Sequence, residues 1–517
     1  MPNEKFYITT SIAYANAAPH MGHAYEEFLA DAIARYKRNC GFDVFFLTGT
    51  DEHGVKICRT AEKNDISVQS FVDKNAEEFQ KFYASIDSSF DGFIRTSNKE
   101  QHWPGAQALW KKLSEKGDIY KSKYTGLYCV GCEAFVGERD LVNGLCPHHN
   151  APPEKVEEEN YFFRLTKYAE EIRGKIEQDE IRIIPEARKH EILALLEEGV
   201  ADVSFSRPEG QIPWGIPVPE DQNQVMYVWC DALANYISAL GYGTEDETNF
   251  SKYWPADLHV IGKDILRFHA LLWPAMLLSA GISLPKEILV HGFLTSGGKK
   301  MSKTVGNVVD PKEYVEKHGS EALRSYFSRE ISPFEDGDFT DEKFLESYNA
   351  NLANGIGNLV SRVIKMTEQY FEGKVKMKDT PEVPFKRKVE TVSGVEEAAG
   401  VPFKYCINQE ILPAYHEHMS RYELNKAADT VWALIKKLDG YVTDYEPYKL
   451  VKTDKEKTEA ILANLLFGIN VVADILSPFM PATSEKIREV LGATFAEDGN
   501  PVAFSVKHMD NPLFPRK

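Results

Sequence analysis

An alternation of apolar and amphipathic segments near the start of the chain restricts the fold more than any other feature. Residues 6–10 and 44–47 are short apolar runs, and residues 24–40 between them have the periodicity of an amphipathic helix that Gly41 closes. The pattern predicts a strand, a helix and a second strand, which is a βαβ crossover. The loops after its two strands open at one edge of a parallel sheet, where open α/β sheets bind ligands.

Two histidines stand at the predicted start of this helix. His20 and His23 are three residues apart and share one face of the first turn, beside backbone N–H groups that have no partner in the helix. That end of a helix carries partial positive charge and suits an anion. Gly22 between them leaves room for a nucleotide to approach the backbone. By itself, however, such a short motif is more often ordinary turn chemistry.

A second pattern that suits phosphate lies much further along the chain. Glycines at 297–298 precede Lys299, Lys300 and Lys303, after an apolar run at 288–293 that predicts a strand. Lysines on a mobile glycine loop can follow a pyrophosphate as it leaves. Taken alone, this segment is better explained as a basic surface turn. The two patterns together, each after a predicted strand, favour nucleotide chemistry.

Four residues in the middle of the first half have the spacing of a zinc site. Cys129 and Cys132 form a CxxC motif, Cys146 and His149 form a CxxH motif, and thirteen residues separate the two motifs. His149, and not His148, keeps the two-residue gap. Four protein ligands would fill the coordination sphere, so the metal is expected to be structural. The alternative is that these cysteines are unpaired thiols without a metal. The odd total of seven cysteines favours reduced thiols and a reducing compartment.

The phosphate patterns resemble the HIGH and KMSKS signatures of class I aminoacyl-tRNA synthetases, here HMGH at 20–23 and KMSKT at 300–304. Further motifs narrow the resemblance to the methionyl-tRNA synthetase family, of the type with a single zinc knuckle. They are AAPH at 17–20, TGTDEHG at 48–54, YVWCDA at 227–232, IGKDI at 261–265 and LSPFMP at 476–481. The resemblance runs nearly end to end. It implies a Rossmann-like α/β catalytic domain with a parallel sheet and a zinc-binding insertion, followed by an all-α anticodon-binding bundle.

The chain is long enough for several domains, and its patterns divide it into four segments. They are the first half of the catalytic domain (1–114), the connective-peptide insertion with the zinc knuckle (115–223), the second half with the KMSKT loop (224–335), and a linker with the helical domain (336–517). Strands of the second half are predicted at 225–229, 258–261 and 288–293. Residues 374–399, with mixed charge and Pro381, Pro384 and Gly394, are predicted to be a loop.

The resemblance implies ATP-dependent ligation of L-methionine to tRNA through methionyl-adenylate, with release of pyrophosphate and AMP. The residues expected to act in catalysis are His20, His23, Lys300 and Lys303. Those expected at ATP, which carries Mg²⁺, are His20, Gly22, His23, Asp264, Lys300, Ser302 and Lys303. Those expected at methionine are Ile12, Tyr14, Asp51, Trp229, Ala232, Tyr236, Ile265 and His269, with Asp51 on the ammonium group. The unbranched thioether of methionine suits an apolar cleft into which only one or two side chains bring a polar group.

A polar series in the helical segment is the expected anticodon reader. Asn354, Asn358 and Arg362 follow one another at i, i+4 steps, which would place them on one ridge of a helix. Amides and a guanidinium suit the edges of splayed bases. Tyr448, after a proline, stands where the family has a stacking tryptophan. A solvated helix face is the alternative for this series.

Composition bears on the partners and the compartment. The net charge is −18, but the helical segment is almost neutral, so an RNA partner is compatible with it. No export signal is expected after the single early Lys5, and polar residues interrupt the apolar stretch 461–480. We therefore expect a cytoplasmic protein without membrane contact. The expected partners are methionine, ATP and the initiator and elongator methionine tRNAs, and the chain is expected to be a monomer.

Three other functions share parts of these features. A cysteinyl-tRNA synthetase would need zinc at the amino-acid site, whereas the predicted ligands cluster in the insertion. A small nucleotidyltransferase would explain the HMGH motif but not the helical segment. A zinc-bearing RNA-binding module would explain the knuckle and the polar ridge without catalysis.

Overall fold

The computed structural model of the chain describes residues 4–130, 134–136, 140–147, 150–210, 213–300, 309–377, 383–391, 394–497 and 499–517. Packing divides the chain into two units, Met1–Phe293 and Leu294–Lys517. The segment boundaries expected from the sequence, after residues 114, 223 and 335, stay predictions.

Seven parallel strands, counted over the described residues, form the main sheet of the first unit. Lys5–Thr10 pairs with Asp43–Asp51 on one side and with Leu258–Gly262 on the other. The order across the sheet is Gly92–Arg95, Asp43–Asp51, Lys5–Thr10, Leu258–Gly262, Glu287–His291 and Arg182–Ile184, with Ala13–Tyr14 beside the end of Asp43–Asp51. Because the strand order reverses about Lys5–Thr10, the carboxyl ends of Lys5–Thr10 and Leu258–Gly262 flank a topological switch point, where such sheets bind ligands.

The predicted crossover helix is confirmed as Met21–Asn39. Buried alanines along it let the helix pack closely on the sheet, and it ends before Gly41, whose φ of 87° suits glycine. The other helical segments of this unit are Val55–Lys63, Val68–Ser85, Trp103–Glu115, Leu165–Tyr168, Ala169–Glu177, Glu186–Glu198, Val228–Ser238, Thr248–Tyr253, Lys263–Ile265, Phe268–Leu272 and Trp273–Ala280.

Antiparallel strands occupy much of the segment predicted to be an insertion. One sheet contains Ala134–Val136, Ile119–Cys129, Glu154–Phe163 and Val203–Ser204, and a second contains Ser206–Pro208, Asp221–Met226 and Pro217–Val218. The same segment also supplies Arg182–Ile184 to the main parallel sheet. The segment predicted to be an insertion therefore returns to the main sheet before the predicted second half of the catalytic domain begins.

The predicted strand at 225–229 is wrong. Its first two residues end the antiparallel strand Asp221–Met226, and the rest enters the helix Val228–Ser238. A short apolar run does not distinguish a buried strand from a buried helix start, which is the physical reason for the error. The strands predicted at 258–261 and 288–293 are confirmed as Leu258–Gly262 and Glu287–His291.

The second unit is mainly helical, as predicted. Its helical segments are Pro311–His318, Ser320–Glu330, Asp341–Ser347, Tyr348–Gly357, Asn358–Phe371, Phe403–Cys406, Ile407–Ile411, Leu412–Ser420, Leu424–Tyr445, Pro447–Leu450, Lys455–Leu476 and Pro481–Leu491. Small sheets accompany them, formed by Leu294–Ser296, Lys299–Lys300 and Gly337–Asp338 and by Lys374–Lys376, Ala493–Phe495 and Pro501–Ser505.

The loop predicted at 374–399 is also wrong, because most of that segment is β-structure. Phe385–Thr391 and Gly394–Val401 pair as an antiparallel hairpin, and Lys374–Lys376 joins the sheet at the end of the chain. Charge and two prolines masked the strand pattern. Cross-strand pairing, which the sequence does not display, satisfies the backbone there.

One helix of the described residues, Lys455–Leu476, is long and apolar enough to cross a membrane. However, 78% of its most apolar window is buried within the protein, as in a core helix.

Candidate active site

The HMGH motif forms the amino end of the helix Met21–Asn39, at the ligand-binding edge of the main sheet. His20 is the N-cap residue: its Nδ1 accepts a hydrogen bond from the Gly22 amide at 3.1 Å. The His20 amide in turn donates to His23 Nδ1 at 3.2 Å. The two rings stack with their centroids 3.7 Å apart. The motif thus makes a reciprocal capping box in which imidazoles take the usual place of hydroxyl and carboxylate groups.

This arrangement fixes which ring nitrogens carry protons. A nitrogen that accepts a hydrogen bond has no proton, so both imidazoles are neutral and both carry N–H at Nε2. Burial and the neighbouring His20 ring hold the pKa of His23 well below its usual range. A Cβ on Gly22 would lie 3.0 Å from His20 Cε1, so any larger residue would crowd the His20 ring. The site therefore offers neutral donors next to the positive end of a helix.

A carboxylate that sequence reasoning missed connects three elements at the same edge. Glu26 Oε1 accepts hydrogen bonds from the Ser11 amide and hydroxyl at 2.8 and 2.5 Å, and its Oε2 lies 2.9 Å from His291 Nε2. Burial lowers the pKa of His291, but the Glu26 carboxylate outweighs it and raises the pKa overall. Polar residues at strand ends were the available signal, since His291 ends a strand beside the switch point.

The expected ATP-binding residue Asp264 follows the strand that ends at Gly262, and it is exposed.

Several residues expected at methionine lie together around two helical segments. His269 Nδ1–H donates to the Ile265 carbonyl at 3.1 Å, so the Nε2 atom of the neutral ring has no proton. Nε2 therefore accepts a hydrogen bond from the Tyr236 hydroxyl at 2.7 Å. Burial lowers the pKa of His269 to about 4, so this ring is neutral. Trp229 contacts the His269 ring edge with centroids 6.4 Å apart. Ala232, on the same helix as Trp229 and Tyr236, is buried.

The other residues expected at methionine come from the first two strands. Tyr14 and Asp51 are directly paired across the short parallel ladder, and Ile12 is half-buried just before it. Asp51 is almost fully buried at the end of its strand. A carboxylate there is at the ligand-binding edge of the sheet, as the expected contact with an ammonium group requires.

Only part of the predicted zinc site lies in the described residues. Cys129 is buried, and it pairs with Ala134 across two antiparallel strands. Cys146 is also buried and follows a tight turn, bridged between Val142 and Leu145. Cys132 and His149 lie outside the described residues. Within the described part of the chain, no group of three potential ligands is assembled.

The lysine loop begins in the described part of the second unit. Leu294–Ser296 and Lys299–Lys300 pair as a hairpin, with positive φ at Gly297 and Gly298. Asp338 Oδ1 accepts a hydrogen bond from the Gly298 amide at 2.8 Å and fixes the base of the loop. The Lys300 side chain, Ser302 and Lys303 lie outside the described residues, so their expected roles stay predictions.

The expected anticodon residues are accessible, but their helix is irregular. Asn354 is in the π-helical segment Tyr348–Gly357, where Gly355 departs from helical geometry, so the regular i, i+4 helix predicted here is wrong. Asn354 and Asn358 are exposed, and Arg362 Nη1 forms a 2.7 Å ion pair with Asp439. The glycine-rich sequence is the physical reason for the irregularity. A π-helical turn often marks a functional site.

Tyr448 is also exposed, at 42% of its maximum, on the short helix Pro447–Leu450. Its hydroxyl donates to Glu446 Oε1 at 3.0 Å. The ring is thus accessible for stacking.

Comparisons with known proteins cover nearly the whole chain. The family model "tRNA synthetases class I (M)" matches residues 6–154 and 149–364, and the model "Anticodon binding domain of methionyl tRNA ligase" matches residues 405–510. The methionine–tRNA ligase of Thermotoga maritima is 42% identical over 93% of this chain and 74% of its own length. That of Brucella suis is 40% identical over 95% of this chain and 92% of its own length.

A solved structure agrees with the sequence comparisons. Mycobacterium tuberculosis methionyl-tRNA synthetase in complex with methionyl-adenylate aligns with a TM-score of 0.90 and 35% identity, over 99% of this chain and all of the other. The α/β catalytic fold and the helical fold that follows it are therefore shared with that enzyme.

Proposed function

The chain belongs to the methionyl-tRNA synthetases of class I, and from this membership we propose how its own residues carry out the reaction. The reaction is ATP-dependent ligation of L-methionine to tRNA through methionyl-adenylate, which releases pyrophosphate and AMP. The observation that carries the proposal is the capping box of the HMGH motif at the switch point of the main sheet.

In the first step the methionine carboxylate attacks the α-phosphorus of ATP, and negative charge grows on the phosphoryl oxygens. His20 and His23 stabilise this charge by donating from Nε2, together with the helix amino end. Their Nδ1 atoms are already engaged by the backbone, so the donors need no reorganisation. Gly22 gives the nucleotide access to the first turn.

The lysine loop acts on the leaving group. Lys300, Ser302 and Lys303 bind the β- and γ-phosphates of ATP, which carries Mg²⁺ as in class I synthetases generally, and Asp264 contacts the ribose. The support for these roles is the KMSKT motif and the fixed base of its hairpin at Asp338. Lysines suit this task because a point charge remains effective as the pyrophosphate moves away.

Methionine binds between the side chains of two helices and the ends of two strands. Trp229, Ala232, Ile265 and Ile12 supply apolar surface for the thioether, and the hydrogen-bonded pair Tyr236 and His269 supplies the polar tip. Tyr14 and Asp51 are at the other end, where the Asp51 carboxylate binds the ammonium group. The support is the contact of Trp229, Tyr236 and His269 and the pairing of Tyr14 with Asp51.

A structural zinc ion held by the insertion completes the catalytic segment. Cys129, Cys132, Cys146 and His149 would be its ligands, which makes this a chain with a single zinc knuckle. The donor set fits zinc: the thiols of Cys129 and Cys146 are buried, and Cys146 directly follows a tight turn, as in tetrahedral sites of this kind. When bound, the ion would hold the two motifs together without taking part in the chemistry.

The helical segment binds the anticodon of methionine tRNAs, initiator and elongator. Asn354, Asn358 and Arg362 read base edges, and Tyr448 stacks on a base. Support comes from the exposure of the two amides and of the tyrosine ring. We further propose that the segment boundaries follow residues 114, 223 and 335, and that the protein is a cytoplasmic monomer without membrane contact.

Charging of tRNA tests this function directly. The protein should attach labelled methionine to a methionine tRNA only when ATP is present, and it should leave cysteine unattached to a cysteine tRNA. Failure to charge methionine tRNA, by protein that is folded and pure, would overturn the proposal.

A further inference from the structure

A buried carboxylate bridges two histidines beside the proposed methionine pocket. Asp231 Oδ2 lies 2.6 Å from His53 Nδ1, and Asp231 Oδ1 lies 2.7 Å from His102 Nε2. Asp231 and His102 are fully buried, and His53 is 3% exposed. An ionised carboxylate only accepts, so both imidazoles donate to it. His53 and Asp231 stand within the TGTDEHG and YVWCDA motifs, but the roles proposed above use neither these residues nor His102.

His102 holds the helix Val228–Ser238 at a second point. Its Nδ1 lies 2.7 Å from Ser238 Oγ, seven residues beyond Asp231 and therefore about two turns along the helix. The helices Val228–Ser238 and Trp103–Glu115 are also in close contact, because a Cβ on Gly105 would lie only 2.7 Å from Ser238 Cβ. The position of this helix along its axis and its rotation are thus both fixed.

The bridged helix has two functional faces. Trp229, Ala232 and Tyr236 are spaced for the face proposed to contact the methionine side chain, while Asp231 and Ser238 are on the face that the histidines hold. A rotation of the helix about its axis would therefore move the three pocket residues together.

The other histidine belongs to the loop of the ammonium site. His53 is two residues after Asp51, and its backbone amide is directed to Asp51 Oδ1 at 3.5 Å. The rings of Trp103 and Trp214 contact His53 edge-on at centroid distances of 6.2 and 5.7 Å. The Asp231–His53 bond consequently joins the helix proposed to contact the methionine side chain to the loop proposed to contact the methionine ammonium group.

Charge makes this bridge sensitive to the loss of either partner. Burial raises the pKa of Asp231, but the two imidazoles outweigh burial and lower it, so the carboxylate is ionised. Apolar packing often stabilises a core as well as a buried charged pair does, whereas removal of one partner from such a pair leaves an uncompensated charge. The bridge is therefore better explained by a need for exact spacing than by a need for stability.

We propose that Asp231 is a positioning residue for methionine, which sets the distance between the side-chain pocket and the Asp51 loop through His53 and His102. This inference rests on the proposed roles of Trp229, Tyr236 and Asp51. It assigns no contact between Asp231 and substrate.

Kinetics of methionine-dependent pyrophosphate exchange test the inference. Asp231→Asn and His53→Ala should raise the KM for methionine, with a fall of roughly 10- to 100-fold in kcat/KM for methionine, since small misplacements have effects of this size. The KM for ATP should stay within about twofold, because no ATP contact is changed. His53→Asn keeps a donor at the Nδ1 position and should restore the KM for methionine toward the wild-type value.

Two milder variants separate positioning from folding. Ser238→Ala removes the second contact of His102, together with a long 3.4 Å bond from the Ser238 hydroxyl to the Asn235 carbonyl, and should raise the KM for methionine by a smaller factor. Ser279→Ala removes a comparable buried bond, to Asp118 at 2.7 Å, and should lower the melting temperature without changing that KM.

The outcomes are distinct. An unchanged KM for methionine in Asp231→Asn would overturn the inference, as would equal effects of His53→Asn and His53→Ala. If those variants do not fold, a wild-type KM in folded Ser238→Ala would overturn it. Absence of methionine-dependent exchange in the wild-type protein would instead contradict the proposed function itself.

Discussion

At the scale of single residues, the proposed catalysis depends on which nitrogen of each active-site histidine faces the substrate. His20 and His23 use Nδ1 to bind backbone amides, which leaves the Nε2 protons for ATP. The same contacts cap the helix, so a simple alanine replacement would confuse loss of a cap with loss of a donor. Replacements that separate the two roles are therefore needed.

His20→Asn should slow adenylate formation and leave the helix intact. Asparagine is a good N-cap residue but does not reach the position of Nε2, so one donor is lost. Loss of one such donor typically costs about 2.7–4 kcal/mol, or about 10²–10³ in rate. Pyrophosphate exchange measures this, with His20→Gln as the control, because its amide nitrogen reaches the Nε2 position. A wild-type rate in His20→Asn would contradict the assigned role.

Methionine affinity should be independent of pH from about 8 down to about 6, although free histidine titrates near 6.5. Burial lowers the pKa of His269 to about 4, so its Nε2 stays available to Tyr236. Because this pKa is lower than in the unfolded chain, the contribution to stability is complete above about pH 6.5 and is lost as pH falls toward 4. Calorimetric titration with methionine checks this, and a Kd that rises from pH 6.5 would refute it.

Residue contacts were predicted best where they are local in sequence. The HMGH motif sufficed to predict a helix amino end with two histidines on one face. The bonds of Glu26 to His291 and of Asp231 to His53 join residues 265 and 178 positions apart. No local pattern carries such pairs, because the sheet order brings them together only in the folded chain.

At the scale of secondary-structure elements, the regular crossover was predicted and the irregular elements were not. The helix Met21–Asn39 has both a strong period and clear end signals. The helix Val228–Ser238 begins inside an apolar run, and the π-helical segment Tyr348–Gly357 depends on glycines that allow several geometries. Tertiary packing decides such cases, so propensity and period alone do not predict them.

The two knuckle turns should depend on zinc. Cys146→Ser should remove the ion and loosen the insertion, with an indirect loss of exchange activity, because the buried thiol is one of four proposed ligands. Metal analysis of purified protein measures zinc per chain. Cys40→Ser, which changes an exposed cysteine at a helix end, should keep full zinc. Full zinc in Cys146→Ser would show that the assignment is wrong.

At the scale of the whole molecule, adenylate formation and tRNA recognition are assigned to different segments and should separate on mutation. Asn358→Ala with Arg362→Ala should leave pyrophosphate exchange unchanged, because that reaction needs no tRNA. Charging should fall by about 1–3 kcal/mol per lost base contact if magnitudes for DNA bases apply. Initial rates of both reactions on the same preparation provide the comparison.

The ion pair of Arg362 requires its own control. Arg362 and Asp439 are 37% and 47% exposed, so the pair contributes only about 0–1 kcal/mol to stability. Asp439→Asn removes the pair and keeps the guanidinium, and charging by this variant should exceed charging by the double variant. Unchanged charging in a folded Asn358→Ala/Arg362→Ala protein would remove the anticodon assignment and leave the catalytic one intact.

Pyrophosphate exchange measured with each amino acid in turn shows whether this site activates methionine. Exchange should be strong with methionine, weak with close apolar analogues and absent with cysteine, and His20→Asn should slow the exchange with methionine by about 10²–10³. Exchange that prefers another amino acid, or that continues unchanged in His20→Asn, would contradict the account.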